Sequence, residues 1–173
     1  MNAALIRRPL SALPPETRLG WALALAGTAL LAGLAALPPW LPEGGAALVR
    51  QGYVLLCHQL PERSAHVHGV PFALCHRCFG IAAGLVAGVL AAPLLFGLAP
   101  RVGRAVRRRI GPLLGLSVLP LGVDWALGAF GIWANTPLSR SLTGGLFGLA
   151  AGAALALAVG VGEERCNETA DVS

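Results

Sequence analysis

The chain has 173 residues, enough for one domain, but only 12% are charged against roughly 25% in soluble domains. Lys is absent and all 13 basic residues are arginine, so the formal charge of +5 reflects scarce acids and clustered arginines. Most of that charge sits beside apolar segments rather than on a polar fold, which excludes nucleic acid as a partner.

Residues 1–18 read as a basic segment with Arg7, Arg8 and Arg18. An apolar run from Leu19 to Leu37 follows, about 19 residues against the roughly 7–15 of a secretory signal, and it ends in Pro38-Pro39-Trp40. It is expected to span a bilayer rather than to be cleaved. Gly45–Leu56 is apolar but too short to cross and carries Arg50, so it reads as an interfacial or re-entrant helix. Three further runs match the roughly 20 residues that a ~30 Å hydrocarbon core requires. They are about 75–98, 110–133 (interrupted by Pro120 and carrying Asp124) and 138–161. The expected fold class is therefore all-α: a polytopic bundle of four transmembrane helices plus one short interfacial helix. Its membrane domain covers 19–161, and 162–173 forms a polar tail in which Cys166 is expected to be inert.

The arginines give the orientation. Arg101, Arg104, Arg107, Arg108 and Arg109 form a short loop with no acid between the second and third spans. The positive-inside rule places it in the cytoplasm, together with both termini, for a multi-pass protein of a prokaryotic inner membrane. The stretch Cys57–Cys78 and the loop Trp133–Arg140 then share the outer face. Lipid bilayer is the expected environment, and four spans are few for a transporter without a homo-oligomer.

Two glycine stripes at four-residue spacing, Gly80/Gly84/Gly88 and Gly144/Gly148/Gly152, mark helix faces that allow close approach in lipid, so the second and fourth spans are expected to pack together. Asp124 lies inside a span and needs a cation or a proton; Arg77 and Arg140 are the candidates. Trp21, Trp40, Trp125 and Trp133 fall near span ends, as interfacial anchors do.

All four histidines and three of the four cysteines lie between Cys57 and Cys78. Soft, ionisable side chains are costly beside hydrocarbon, so this concentration is the prime site candidate. Cys57, Cys75 and Cys78 with one histidine make a Cys3His set suited to zinc. His58 adjoins Cys57 and reaches the same ion awkwardly, which leaves His66 or His68 as alternatives. A second reading is a thiol–disulfide oxidoreductase: Cys75-His76-Arg77-Cys78 opens a helix, where dipole and cations favour a thiolate, with Cys57 as resolving partner. A third is a structural disulfide from Cys57 to Cys75 or Cys78. Covalent c-type haem is excluded, because Phe79 stands where His must follow C-x-x-C. Gln59, Glu62, Arg63 and Ser64 read as a hydrogen-bonded turn, and Asn135 and Thr136 as a cap before Pro137.

Cys57-His58-Gln59, Pro61-Glu62-Arg63-Ser64 and Cys75-x-Arg77-Cys78-x-Gly80-Ile81 resemble the signature of a family of small prokaryotic integral membrane proteins, known as a domain of unknown function. Asp124, Asn135, Arg140, Thr143 and Gly144 resemble its later motif, although Trp125 follows Asp124 where glycine is usual and His76 replaces a small residue. The resemblance covers about 53–152 and implies no activity. It implies that His58, Arg77, Asp124, Asn135 and Arg140 belong to a shared site, which selects His58 as the histidine ligand. The expected metal set is then Cys57, His58, Cys75 and Cys78. Beside it, Gln59, Arg63, Arg77, Asp124, Asn135, Arg140 and Thr143 are expected to form a polar pocket for a small anion or lipid headgroup.

Overall fold

A computed structural model describes residues 14–98 and 100–161; the basic N-terminal residues before 14 and the tail with Cys166 lie outside the described residues. Among the described residues four helices are long and apolar enough to cross a membrane: α1 (Pro15–Ala36), α3 (His76–Leu98, apolar to Leu95), α5 (Ile110–Ala129) and α6 (Pro137–Ala158). At 1.5 Å per residue each reaches about 30–34 Å, the thickness of a hydrocarbon core. Leucines exposed along them, such as Leu23, Leu30, Leu116 and Leu119, face outward as a lipid-solvated bundle requires.

Between α1 and α3 the chain builds a cap at one end of the bundle. A 3-10 turn at Pro38–Trp40 leads into α2 (Glu43–Tyr53), the short helix expected from the sequence. The sequence reading gave only a turn between Cys57 and Cys75. The chain there forms an antiparallel hairpin of β1 (Ser64–Val67) and β2 (Val70–Cys75), with Val67 opposite Val70. His68 and Gly69 form its two-residue loop, both at positive φ (51° and 79°), as the turn that follows strand twist demands.

Two further differences have local causes. The arginine-rich connection between the second and third spans is helical: α4 (Pro100–Arg108) starts with proline at its first position, and its arginines alternate with Val102, Ala105 and Val106 at helical spacing. The third span stops at Ala129, four residues before Trp133. There Gly131 takes φ 67°, its N–H bonds the Gly128 carbonyl at 3.3 Å, and the Ile132 N–H bonds the Leu127 carbonyl at 3.0 Å, which closes the helix.

The most extensive packing joins α3 and α6, which run parallel. A Cβ at Gly80 would overlap the Ser141 carbonyl, one at Gly84 the Gly145 carbonyl, and one at Gly88 the Leu149 carbonyl. From the other side, Gly144, Gly148 and Gly152 meet the backbone at Arg77, Ile81 and Leu85. Only hydrogen fits between these backbones. α1 lies against α3, where the Trp21 indole donates to the Val89 carbonyl at 2.9 Å. Trp21, near the N-terminal end of α1, is thus a packing residue between helices. The Tyr53 hydroxyl donates to the Leu31 carbonyl at 2.6 Å and ties α2 to α1.

The glycine contact predicts a position-specific cost. Gly84→Leu forces two backbones apart and is expected to destabilise the detergent-solubilised protein by at least the ~1–3 kcal/mol of an overpacked core. Gly27→Leu, where nothing lies within 4 Å, is expected to be near neutral. Equal melting temperatures for the two variants would contradict the close approach.

Candidate metal centre

The register of the bundle brings the start of α3, the end of β2 and the segment after α2 to one rim. Cys57 follows the last turn of α2, its N–H bonded to the Tyr53 carbonyl at 3.0 Å, and it is buried against Ala35, Tyr53, Leu74 and Ala82. Cys75 ends β2 and Cys78 lies in the first turn of α3. The three sulfurs lie within 4.8 Å of one another and all three are free thiols. Three soft donors this close could hold a metal ion.

Backbone donors surround these sulfurs. Cys57 Sγ accepts from the N–H of Gln59 at 3.5 Å and of Cys75 at 3.3 Å. Gln59 reaches that position in the left-handed region, at φ 51°, a conformation that costs a residue with a Cβ about 1–2 kcal/mol. Its side chain offsets part of this by donating from Nε2 to the Arg50 carbonyl at 2.6 Å. A hydrogen bond from the Cys78 thiol, together with the backbone N–H groups of Cys78 and Arg77, holds the Cys75 thiol down at about 5, against the opposing effect of burial. These contacts favour the thiolate form of Cys75.

No histidine nitrogen joins the sulfurs among the described residues. His58 lines the same cavity but is exposed; His66 and His68 are exposed on the hairpin, where His66 Nδ1 lies 3.0 Å from the Ser64 carbonyl.

The residues expected to form one polar pocket fall into two groups that share Arg77. Arg77 pairs with Asp124 through Nη2 and Oδ2, while Ser139 Oγ donates to Asp124 Oδ1 at 2.9 Å. The Asn135 amide donates to the backbone carbonyl of Asp124. Asp124 is 8% exposed, so this knot joins α3, α5 and α6 within the bundle. Between the two arginines weighed for Asp124, the structure selects Arg77. Ser139 had no place in the sequence reading; as the third residue after the Thr136 cap it read as helix start, although a buried carboxylate always needs extra donors.

The second group lines a cavity of about 400 Å³ beside the sulfurs: Gln59, Arg63, Arg77 and Arg140, with Trp125 and the exposed face of His58. Trp125 thus contributes to a site wall, beyond the anchor role its position suggested. Thr143 does not line it, since its hydroxyl donates to the Ser139 carbonyl of its own helix at 2.8 Å. Arg140 carries a buried Nε without an acceptor, as does Arg77.

A model of the family described as "Predicted membrane protein (DUF2085)" matches residues 57–154, a stretch that begins at Cys57 and contains the site. An uncharacterized protein of Methanocaldococcus jannaschii is 44% identical over 43 residues, 25% of this chain, and the match spans 28% of that relative's length. No solved structure matches.

Two measurements probe this geometry. In the reduced, metal-free protein, alkylation of Cys75 is expected to be lost only as pH falls through about 5 and to stay flat above it, because thiolate is the reactive form. A midpoint near the ordinary ~8.5 would contradict the hydrogen-bonded arrangement. Asp124→Asn leaves the half-buried Arg77 without its counter-ion and is expected to cost less than the ~3–5 kcal/mol of a fully buried pair, about 1–3 kcal/mol. A cycle with Arg77→Gln should be strongly non-additive and one with Arg140→Gln additive; the reverse pattern would assign the pair wrongly.

Proposed function

We propose, for a chain that belongs to this family of predicted membrane proteins, that Cys57, Cys75 and Cys78 bind a thiophilic divalent cation, zinc by the chemistry of its donors, at the outer face of a prokaryotic cell membrane. The observation that carries this reading is the convergence of three free sulfurs within 4.8 Å. A disulfide would use two of them and leave the third without a role. Tetrahedral zinc with bonds of about 2.3 Å needs sulfurs about 3.8 Å apart, a closure that small side-chain rotations supply. A metal thiolate needs its ligands deprotonated, and the surroundings of Cys75 favour that form. The N–H groups directed at Cys57 would support a negatively charged ligand sulfur in the way outer-shell donors do. His58 would complete the set by turning its exposed ring inward from the cavity wall.

The outward orientation rests on α4, whose Arg104, Arg107 and Arg108 lie at the opposite end of the bundle from the sulfurs. A centre placed so clamps α2, the hairpin and α3 together at the bilayer surface.

A second reading follows from one observation, the approach of the Cys75 and Cys78 sulfurs within 4.8 Å where β2 gives way to α3. That arrangement suits a thiol–disulfide oxidoreductase, in which Cys75 attacks a partner disulfide and Cys78 displaces it, leaving the partner reduced and the pair oxidised.

Elemental analysis separates the two. Protein purified in detergent without chelator is expected to carry about one zinc per chain, lost in Cys75→Ser, with alkylation of all three cysteines suppressed until the metal is removed. Metal-free protein that cycles between a Cys75–Cys78 disulfide and two thiols would remove the metal reading in favour of the redox one.

A further inference from the structure

Three guanidinium groups line the cavity beside the sulfurs, and only one has a counter-ion. Arg77 is paired with Asp124. Arg63 reaches the cavity from the turn Pro61–Arg63, and Arg140 from the first turn of α6. Among the described residues neither side chain has an acidic or hydrogen-bonding partner, and no carboxylate lines the cavity. Arg77 and Arg140 each keep a buried Nε with no acceptor. Buried donors left unpaired and like charges turned to one space are both unfavourable, and an anion between them removes both penalties at once.

We propose that this cavity binds a phosphate monoester or free phosphate, gripped by Arg63, Arg77 and Arg140. Guanidinium is the planar fork that matches phosphate oxygens in pairs. The three groups come from three separate elements, and a tetrahedral anion can face all of them, whereas a carboxylate offers two oxygens in one plane. A metal ion with three thiolates would add one net negative charge beside two arginines that have no counter-ion, so the positive excess persists with or without metal. The inference thus goes beyond the metal reading and does not depend on it. The cavity, at about 400 Å³, exceeds what a bare phosphate fills, and Leu56, Leu60 and Trp125 give it an apolar and aromatic side. The rim sits where helices of about 30 Å emerge from hydrocarbon, so lipid headgroups and dissolved anions both reach it.

The full chain in maltoside detergent, titrated with inorganic phosphate by calorimetry, is expected to show saturable one-to-one binding. Arg63→Gln and Arg140→Gln should each weaken it at least tenfold; Arg104→Gln, at the far end, should not. Arg63 is exposed on a turn, so its variant keeps the test decisive if the Arg140 variant folds poorly. Short-chain phosphatidic acid is then set against phosphatidylcholine of equal chain length. If phosphatidic acid displaces phosphate at a tenfold lower concentration, the phosphate belongs to a lipid headgroup. If phosphate alone binds, it is a soluble ion; both outcomes support the site. Absence of saturable binding to either probe, or wild-type affinity in the Arg63 and Arg140 variants, overturns it. Zinc measured on the same samples keeps the readings apart: phosphate binding without metal removes only the metal centre, and metal without phosphate binding removes only this inference.

Discussion

The contact of two glycine stripes sets every distance that matters at the rim. Inside lipid no hydrophobic gain favours one apolar helix pairing over another, so association rests on close van der Waals contact and Cα–H···O approaches. Glycine at Gly80, Gly84 and Gly88 against Gly144, Gly148 and Gly152 permits both. Because α3 and α6 run parallel in this contact, both place their N-terminal ends at the same rim. The positive ends of two helix dipoles therefore meet beside the cysteines and arginines. A thiolate at Cys75 and an anion between the arginines suit that field for the same reason.

The third helix of this core is attached differently. Asp124 is the buried residue of α5, and the remainder of the helix presents carbon to its surroundings. Away from the sulfurs α5 parts from α3 and α6 and leaves an apolar cleft of about 660 Å³, lined by Leu113, Ser117, Leu149 and Ala153 among others. The helix is held at the rim by charge and hydrogen bonds to Arg77, Ser139 and Asn135, and by the close fit of Gly128, where a Cβ would overlap the Asn135 side chain. A carboxylate in that setting is tolerable only because all its partners are present. The arginines differ in their ties: Arg77 pairs with Asp124 through Nη2 while also lining the cavity, and Arg140, one residue from Ser139, lines it without a counter-ion.

Much of this was legible in the chain because lipid imposes strict rules on composition. Span length, the glycine stripes and a solitary Asp124 are signals that no soluble context dilutes, and they led to four apolar helices and to a carboxylate seeking an arginine. The hairpin was hidden because its strands are four and six residues long and are bounded by His68-Gly69, a loop pair less emphatic than Asn-Gly. The choice of Arg77 over Arg140 was hidden for another reason. Both lie within reach on paper, and only the register of α3 on α6, fixed by backbone contacts, decides which guanidinium meets Asp124. Ser139 escaped because a serine in the first turn of a helix is ordinary, and its partner is fifteen residues away in sequence.

The sulfur centre carries a cost that packing alone does not explain. Gln59 is held in a conformation that L-residues avoid, and it is held there by its own side chain and by the N–H it directs at Cys57. Backbone strain of this kind persists only where its surroundings over-determine it. If Cys57 were merely filling the space between Ala35, Tyr53 and Leu74, an alanine or valine would do so without the strained turn. The strained turn sets the Gln59 N–H against Cys57 Sγ, and the Cys75 N–H reaches the same sulfur from the end of β2. Cys75 is treated alike by the N–H groups of Arg77 and Cys78. Two sulfurs thus meet backbone donors and the third lies within 4.8 Å of both, a grouping of three soft donors close enough to hold a metal ion.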